Sequence, residues 1–426
     1  MRVWRGLSRV FLVASALTIG GCGGVRPEVK AALTGTLPEL QREIARAEQS
    51  GSLSDARIAD LARAVAEREI AGARGAEGAE QMGLFRPCVG QLEAALDERA
   101  TRGDEAAAVA TLLLFEAGKR RAPDLVASYR DADSGAFRAL AARATLAPAD
   151  AELRRRYFTD PDERVRRAAF EAASKAPFSA QVPDLAEAAR LDPSPGNRAR
   201  ATQALGRIGN EPAVLGLIDL FAAGDEQEQL AVLDAWSESP SFGNGGEREL
   251  GRALDRPGLV SVSAASLLLR SRDSRTAAVA VLSRAIADGS DDERRLALMM
   301  APLGEPSVKA ALQKASKSPS PEVTPLVLAR LAELPAERAS AQAALEKLAQ
   351  DKSDYGLEAS YALASLGSRR ALTRIGQELS QERASRRLRA ALTLARLGEQ
   401  RRVAARLADH DPFVRASLAC RLMERR

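Results

Sequence analysis

Few side chains in this sequence stand where they could do chemistry. The one histidine, His410, lies between carboxylates in Ala408-Asp409-His410-Asp411-Pro412. That setting suits a metal ligand or a general base. A histidine-dependent hydrolase also needs a poised serine or cysteine, however, and the chain has no Gly-x-Ser-x-Gly elbow. It also lacks His-Glu-x-x-His and a glycine-rich phosphate loop before Lys-Ser/Thr. His410 therefore reads as a solvent-facing turn residue. Asp131-Ala132-Asp133-Ser134-Gly135 opens like a calcium loop, but its glycine comes one place early and Ala142 stands where the bidentate glutamate belongs. It reads as a polar turn ahead of a helix. Cys88 follows Pro87 near a helix start, where the helix dipole can lower a thiol pKa; the plainer reading is a buried structural cysteine. With 57 acidic residues spread over solvated helices, carboxylate pairs arise by chance, so none is nominated for acid–base work. The chain reads as no enzyme, with no catalytic residue, no metal and no diffusible cofactor.

Two features outside that search carry information. Arg369, Arg370 and Arg374 recur one repeat later as Arg401, Arg402 and Arg406, in a stretch from Ser365 to Arg426 that holds 15 arginines against six acidic residues. Stacked in register, the six form adjacent positive rows. They are either a solvated face paired with Glu378, Glu382 and Glu399, or a docking patch for an acidic protein, an anionic lipid head group or a polyanionic glycan. Aromatic side chains for base stacking are missing there, so no nucleic acid is expected as partner.

The second feature is the start of the chain. Arg2, Arg5 and Arg9 precede a ten-residue apolar stretch, Val10 to Ile19, which is too short for the roughly 20 residues of a membrane span. Ile19-Gly20-Gly21-Cys22 then resembles the lipobox of bacterial lipoproteins. The resemblance implies cleavage between Gly21 and Cys22 and a covalent lipid on Cys22, a membrane anchor of two or three acyl chains. It also implies a periplasm-facing location in the cell envelope, and Gly23 in place of an aspartate favours the outer membrane.

The elements that must position all this repeat. Ala/Leu-rich helices ending in Leu205-Gly206, Leu366-Gly367 and Leu397-Gly398 set a beat marked by Gly118, Ala147, Ala176, Gly206, Ser237, Arg270, Gly304, Pro335, Gly367 and Gly398, in steps of 29 to 34 residues. Between markers lies a second, amphipathic helix: Val214, Leu217, Ile218 and Phe221 share one face, as do Val279, Leu282 and Ile286, and Leu372, Ile375 and Leu379. Asp160-Pro161, Asp192-Pro193, Asp411-Pro412 and Thr324-Pro325 read as starts of first helices, with the aspartates as caps. No two-residue alternation is sustained, so the fold class is all-α. The Asp160-Pro161…Val165-Arg166-Arg167-Ala168-Ala169 and Asp411-Pro412-Phe413-Val414-Arg415-Ala416 segments resemble HEAT-like repeats, including the form found in phycobilisome lyases. The resemblance implies an α-solenoid of antiparallel helix pairs over 104–426, with second helices lining a concave binding face. The remaining divisions are a signal at 1–21, a lipidated N-terminus and tether at 22–36 and a helical capping region at 37–103, broken by a glycine-rich stretch at 72–83.

Charge and cysteines complete the reading. Three of the 62 basic residues fall in the signal, which leaves the mature chain nearly balanced and weakens any argument from overall basicity. Cys88 and Cys420 remain besides Cys22. An oxidising compartment would allow a bridge. An extended array puts them near opposite ends, beyond the roughly 7 Å between Cα atoms that a disulfide tolerates, so two buried free thiols are expected. The function expected is a membrane-anchored, non-catalytic scaffold for one or more protein partners. The alternatives are an enzyme auxiliary like the HEAT-like lyases and a direct binder of anionic lipid or glycan.

Overall fold

The computed structural model describes residues 25–424, apart from 241–245, 318–319 and 321. The signal, Gly21 and Cys22 lie outside the described residues. Three helices come first: α1 (Pro27–Thr34), α2 (Leu37–Gln49) and α3 (Asp55–Gly72). The chain then advances in pairs, a first helix and an antiparallel second. These are α4 (Gly75–Gly83) with α5 (Glu93–Ala100), α6 (Glu105–Glu116) with α7 (Ala122–Tyr129), α8 (Gly135–Ala144) with α9 (Ala151–Tyr157), and α10 (Glu163–Lys175) with α11 (Val182–Leu191). Next are α12 (Pro195–Ile208) with α13 (Glu211–Ala223), α14 (Glu226–Ser237) with α15 (Glu247–Ala253), α16 (Leu259–Leu268) with α17 (Arg275–Asp288), and α18 (Asp291–Met300) with α19 (Pro306–Ala315). The last pairs are α20 (Thr324–Glu333) with α21 (Arg338–Leu348), α22 (Asp354–Ser365) with α23 (Leu372–Gln377), and α24 (Ala384–Arg396) with α25 (Gln400–Val403), which runs on as a 3-10 turn to Ala408. A first helix without a successor, α26 (Pro412–Met423), ends the series. No strand occurs among the described residues.

Each repeat marker lies within four residues of the end of a first helix, so the beat is real. The physical causes differ in detail from the reading above. Gly118, Gly367 and Gly398 do take the left-handed conformation (φ 74°, 81° and 83°) that lets a chain leave a helix. Gly206 does not. It sits inside α12, where an added Cβ would lie 2.4 Å from the Ala235 carbonyl of α14, so its role is close packing, and Gly209 supplies the left-handed stop. The glycine-rich stretch at 72–83 breaks the helix only at Ala73 and Arg74, between α3 and α4, and is otherwise helical: α4 uses Gly78 to pass Ala73, where a Cβ would lie 2.7 Å from the Ala73 carbonyl carbon.

The Asp-Pro signals are displaced in the same way. Asp411 caps α26 by accepting the Phe413 N–H at 2.8 Å. In α10 and α12 the cap positions are Asp162 and Ser194, two residues after Asp160 and Asp192. Asp160 and Asp192 instead accept the N–H groups of Asp162 and Ser194 at 2.8 and 2.9 Å, and each also binds an arginine. Val323, not Thr324, precedes the first residue of α20.

Within and between pairs, apolar residues at helical spacing meet. In α10, Val165, Ala168, Ala169, Ala172 and Ala173 are buried, and Phe170 stacks on Phe158 with ring centroids 5.2 Å apart. Consecutive first helices from α8 to α14 lie flank to flank, whereas among the corresponding second helices only α11 and α13 touch closely. The more tightly spaced layer is the inside of a curve, so over α8 to α14 the first helices line the concave face; farther on, the second helices α17 and α19 are the closer pair. Over α8 to α14 this corrects the expectation that second helices would line it.

The array does not stay open. The unpaired α26 packs against α3, which serves as its second helix: Arg415 in the first turn of α26 binds Glu69 in the last turn of α3. α3 also touches α5 on one side and α25 on the other, while α26 touches α4. Both layers therefore run continuously through the junction, and the twelve helix pairs of the described residues close into a ring. With neighbouring helices roughly 9 Å apart, the inner layer has a circumference of about 100 Å and encloses an opening on the order of 20 Å. The segments expected as a tether and a cap take part in this closure. α1 packs on α3 with Glu28, Val29, Ala31 and Ala32 buried, and α2 lies on the 3-10 turn after α25, where Gln41 donates to the Ala408 carbonyl at 3.1 Å.

Closure brings Cys88, in the turn before α5, to Cys420 of α26. Their Cα atoms lie 5.5 Å apart and a disulfide joins them. The expectation of two free thiols was wrong because it assumed an extended rod; on a ring, 332 residues of separation return to one place.

Candidate functional site

Two rows of charge are built from the repeat. The first runs through the loops before the first helices. Arg138 donates to the Ala132 and Asp133 carbonyls and pairs with Asp160 of the next repeat at 3.1 Å. Arg166 donates to the Asp160 carbonyl and pairs with Asp192 at 2.8 Å. Arg387 donates to the Gln381 and Glu382 carbonyls and pairs with Asp409 at 2.8 Å. Arg415 donates to the Asp409 and His410 carbonyls, and its next carboxylate is Glu69, at 2.8 Å. Burial alone would raise the Asp409 carboxyl, but hydrogen bonds from Arg387 and the Asp411 amide hold it below its ordinary value. For Asp162 the Arg164 guanidinium is the main cause of a similar depression.

The second row lies on the concave face. Arg86 pairs with Glu116 of α6, Glu116 with Arg143 of α8 at 2.8 Å, Arg143 with Glu171 of α10, and Glu171 with Arg200 of α12 at 2.8 Å. Lys175 adds a fourth cation 3.9 Å from Glu116. Two carboxylates thus face four cations. Burial, followed by the crowding of Arg86 and Arg200, pushes the Arg143 guanidinium down; burial and then Arg143 push Lys175 down. Beside this cluster runs a groove of about 300 Å³ between α6, α8 and α10, floored by Ala108, Val109, Leu112, Ala136 and Ala139. Arg143 and Glu171 close one end, and Glu105 with Arg164, paired at 2.7 Å, close the other. Sequence reading passed over this row. Glu116, Arg143, Glu171 and Arg200 follow one another at 27 to 29 residues with alternating sign. Testing each repeat position for sign alternation would have found them.

The six C-terminal arginines divide into two sets. Arg374 donates to the Lys352 carbonyl at 2.8 Å, and Arg406 donates to the Leu379 carbonyl at 2.9 Å and lies 3.9 Å from Asp409. Those two are struts between pairs. Arg369 pairs with Glu399 and Arg370 with Glu346, yet both side chains stay about four-fifths exposed. Arg401 and Arg402 are exposed and form no ion pair among the described residues. His410 is exposed in its turn, with Nε2 3.0 Å from Arg387 Nη2. Asp131 faces solvent beside Arg130. No group of three or more metal-ligating side chains exists among the described residues, and no described helix is long and apolar enough to cross a membrane.

Compared with known proteins, residues 151–235, spanning α9 to α14, match the family described as HEAT repeats. No curated protein matches the chain. The matched pairs and the architecture around them are those of a helical-repeat scaffold, an all-α solenoid.

Proposed function

We propose that the mature protein is a lipid-anchored envelope scaffold that holds a protein partner on its concave face and does no chemistry of its own. The observation that carries the reading is the groove over α6, α8 and α10. An apolar floor ends at a half-buried cluster with more cations than carboxylates, which fits an apolar side chain followed by an acidic one. The anchor and the envelope location follow from the resemblance of residues 19–22 to a lipobox, with the outer membrane favoured by Gly23. The Cys88–Cys420 bridge supports export, because such bridges persist in oxidising compartments. No cofactor is proposed beyond the lipid on Cys22.

A photo-crosslinking residue at Leu112 in the intact envelope tests the reading, with one at Leu215, exposed on the outer helix α13, as comparison. A saturable protein adduct at Leu112 and none at Leu215 is expected. Adducts at Leu215 alone would move the partner to the outer face and overturn it.

A further inference from the structure

We propose that the rim of the ring carrying the N-termini of the second helices lies against the lipid surface, and that Arg369, Arg370, Arg401 and Arg402 on that rim contact anionic head groups. The inference rests on the reading of Cys22 as the lipid-bearing residue. Cys22 precedes Pro27, the first residue of α1, by five residues, a chain reach of at most about 18 Å. The start of α1 is fixed at the beginning of α3: Arg26 is 3.0 Å from Asp60, and Arg57 is 2.5 Å from Glu28.

The direction of α3 identifies the rim. Its last turn meets the first turn of α26 through Glu69 and Arg415, so its first turn lies at the opposite edge, where first helices end and second helices begin. Cys420 and Cys88 sit toward that edge, and so does Glu116 at the end of α6 with its partner Arg86.

Ring closure then brings the arginines to the anchor. α25, which holds Arg401 and Arg402 in its first turn, touches α3 directly. At helix spacing of roughly 9 Å, they stand on the order of 10–20 Å from the start of α1. Arg369 and Arg370 begin the neighbouring second helix at the same level, since Arg369 reaches Glu399 just ahead of α25. Of these four exposed guanidinium groups, Arg369 and Arg370 each pair with one carboxylate, Glu399 and Glu346, and Arg401 and Arg402 pair with none among the described residues. In an open array the same arginines would lie at the far end from the lipid. On the ring they lie beside it, and an anchor that fixes one point plus a cationic patch that fixes a second would set the orientation of the whole scaffold. This sets the concave groove edge-on to the membrane, with its Arg143 end toward the lipid and its Glu105–Arg164 end away from it.

The test uses the exported chain with Cys22→Ala, so that binding reports the protein surface alone, and vesicles of phosphatidylcholine with or without phosphatidylglycerol. Sedimentation should show salt-sensitive binding to the anionic vesicles only. Near such a surface each basic residue contributes about a five-fold gain in partitioning, so R401E/R402E should lose at least ten-fold. R130E/R383E, two exposed arginines on the opposite rim, should stay within two-fold. Circular dichroism of each variant confirms a folded chain before binding is compared. Equal loss in both variants, no loss in either, or binding to a lipid-free anionic glycan without binding to vesicles would each overturn the proposal. The mass of the N-terminal peptide of the wild-type protein is read separately: an unmodified Cys22 sinks the anchor reading, whereas a lipidated Cys22 with unchanged vesicle binding by R401E/R402E sinks only the orientation.

Discussion

The junction between α10 and α12 and the junction between α26 and α3 use the same parts. In each, an arginine from the start of a first helix fills the carbonyls five and six residues before it and reaches a carboxylate on the neighbouring unit: Arg166 to Asp192 in one case, Arg415 to Glu69 in the other. The difference is where the neighbour comes from. Asp192 follows Arg166 by 26 residues, while Glu69 lies 346 residues away from Arg415. An ordinary junction forms almost for free once one pair is folded, because its partner is already tethered nearby. The closing junction must overcome the loop entropy of nearly the whole chain, and it is also the one that carries a disulfide. A repeat array can thus specify closure with the same contact that specifies propagation, provided a covalent clasp offsets the distance.

The largest way to break this comparison is Arg415→Ala. Removing one partner of a buried pair leaves Glu69 uncompensated, at a cost of about 3–5 kcal/mol. Hydrogen exchange should then rise in α3 and α26 together and leave α10 to α14 protected. Arg166→Ala, with a similar buried pair, should raise exchange locally around α10 and α12 without opening the closing junction. Next comes the clasp. Cys420→Ser, or reduction, should weaken the closing junction by about 2–4 kcal/mol, seen as a lower unfolding midpoint for α3 and α26 in exchange-monitored urea titration.

Acid gives a third comparison. Asp409 near the closing junction and Asp162 in an ordinary loop both have folded-state pKa values below their unfolded values, near 3.8. Their contribution is present above pH 4 and is lost as pH falls through the lower folded values. The thermal midpoint should therefore hold from neutral pH to about 4 and then drop, and Asp409→Asn should flatten that drop while lowering the plateau. Smaller still, Asp162→Ala removes the cap of α10 and should cost about 1 kcal/mol in urea unfolding. Arg370→Ala, on an exposed pair, should shift stability by less than about 0.5 kcal/mol.

Much of the fold was legible because helix pairs leave a local signature. The beat, the apolar faces of α13, α17 and α23, and the all-α class follow from residues within one turn or one repeat of each other. Closure was not legible, because Glu69, Cys88, Arg415 and Cys420 look like any other buried pair or thiol until the curvature of the array is known, and curvature accumulates from packing angles that no short motif encodes. Over α8 to α14 the concave face was assigned to the wrong helix for the same reason: which layer is tighter depends on side-chain volumes such as the alanines of α10 and the glycine at 206. The arginine row was half legible. Composition marked all six, but only geometry separates Arg374 and Arg406, bound to backbone carbonyls, from the four on the rim.

The claim on which the rest depends is that the two ends of the array meet. Spin labels at Gln49→Cys on α2 and Gln400→Cys on α25, with the native bridge intact, measure it by electron–electron double resonance. A closed ring predicts one narrow distance population below about 30 Å, two or three helix diameters. A dominant population beyond about 60 Å would mean an open solenoid and would contradict the ring, the clasp and the membrane-facing rim together.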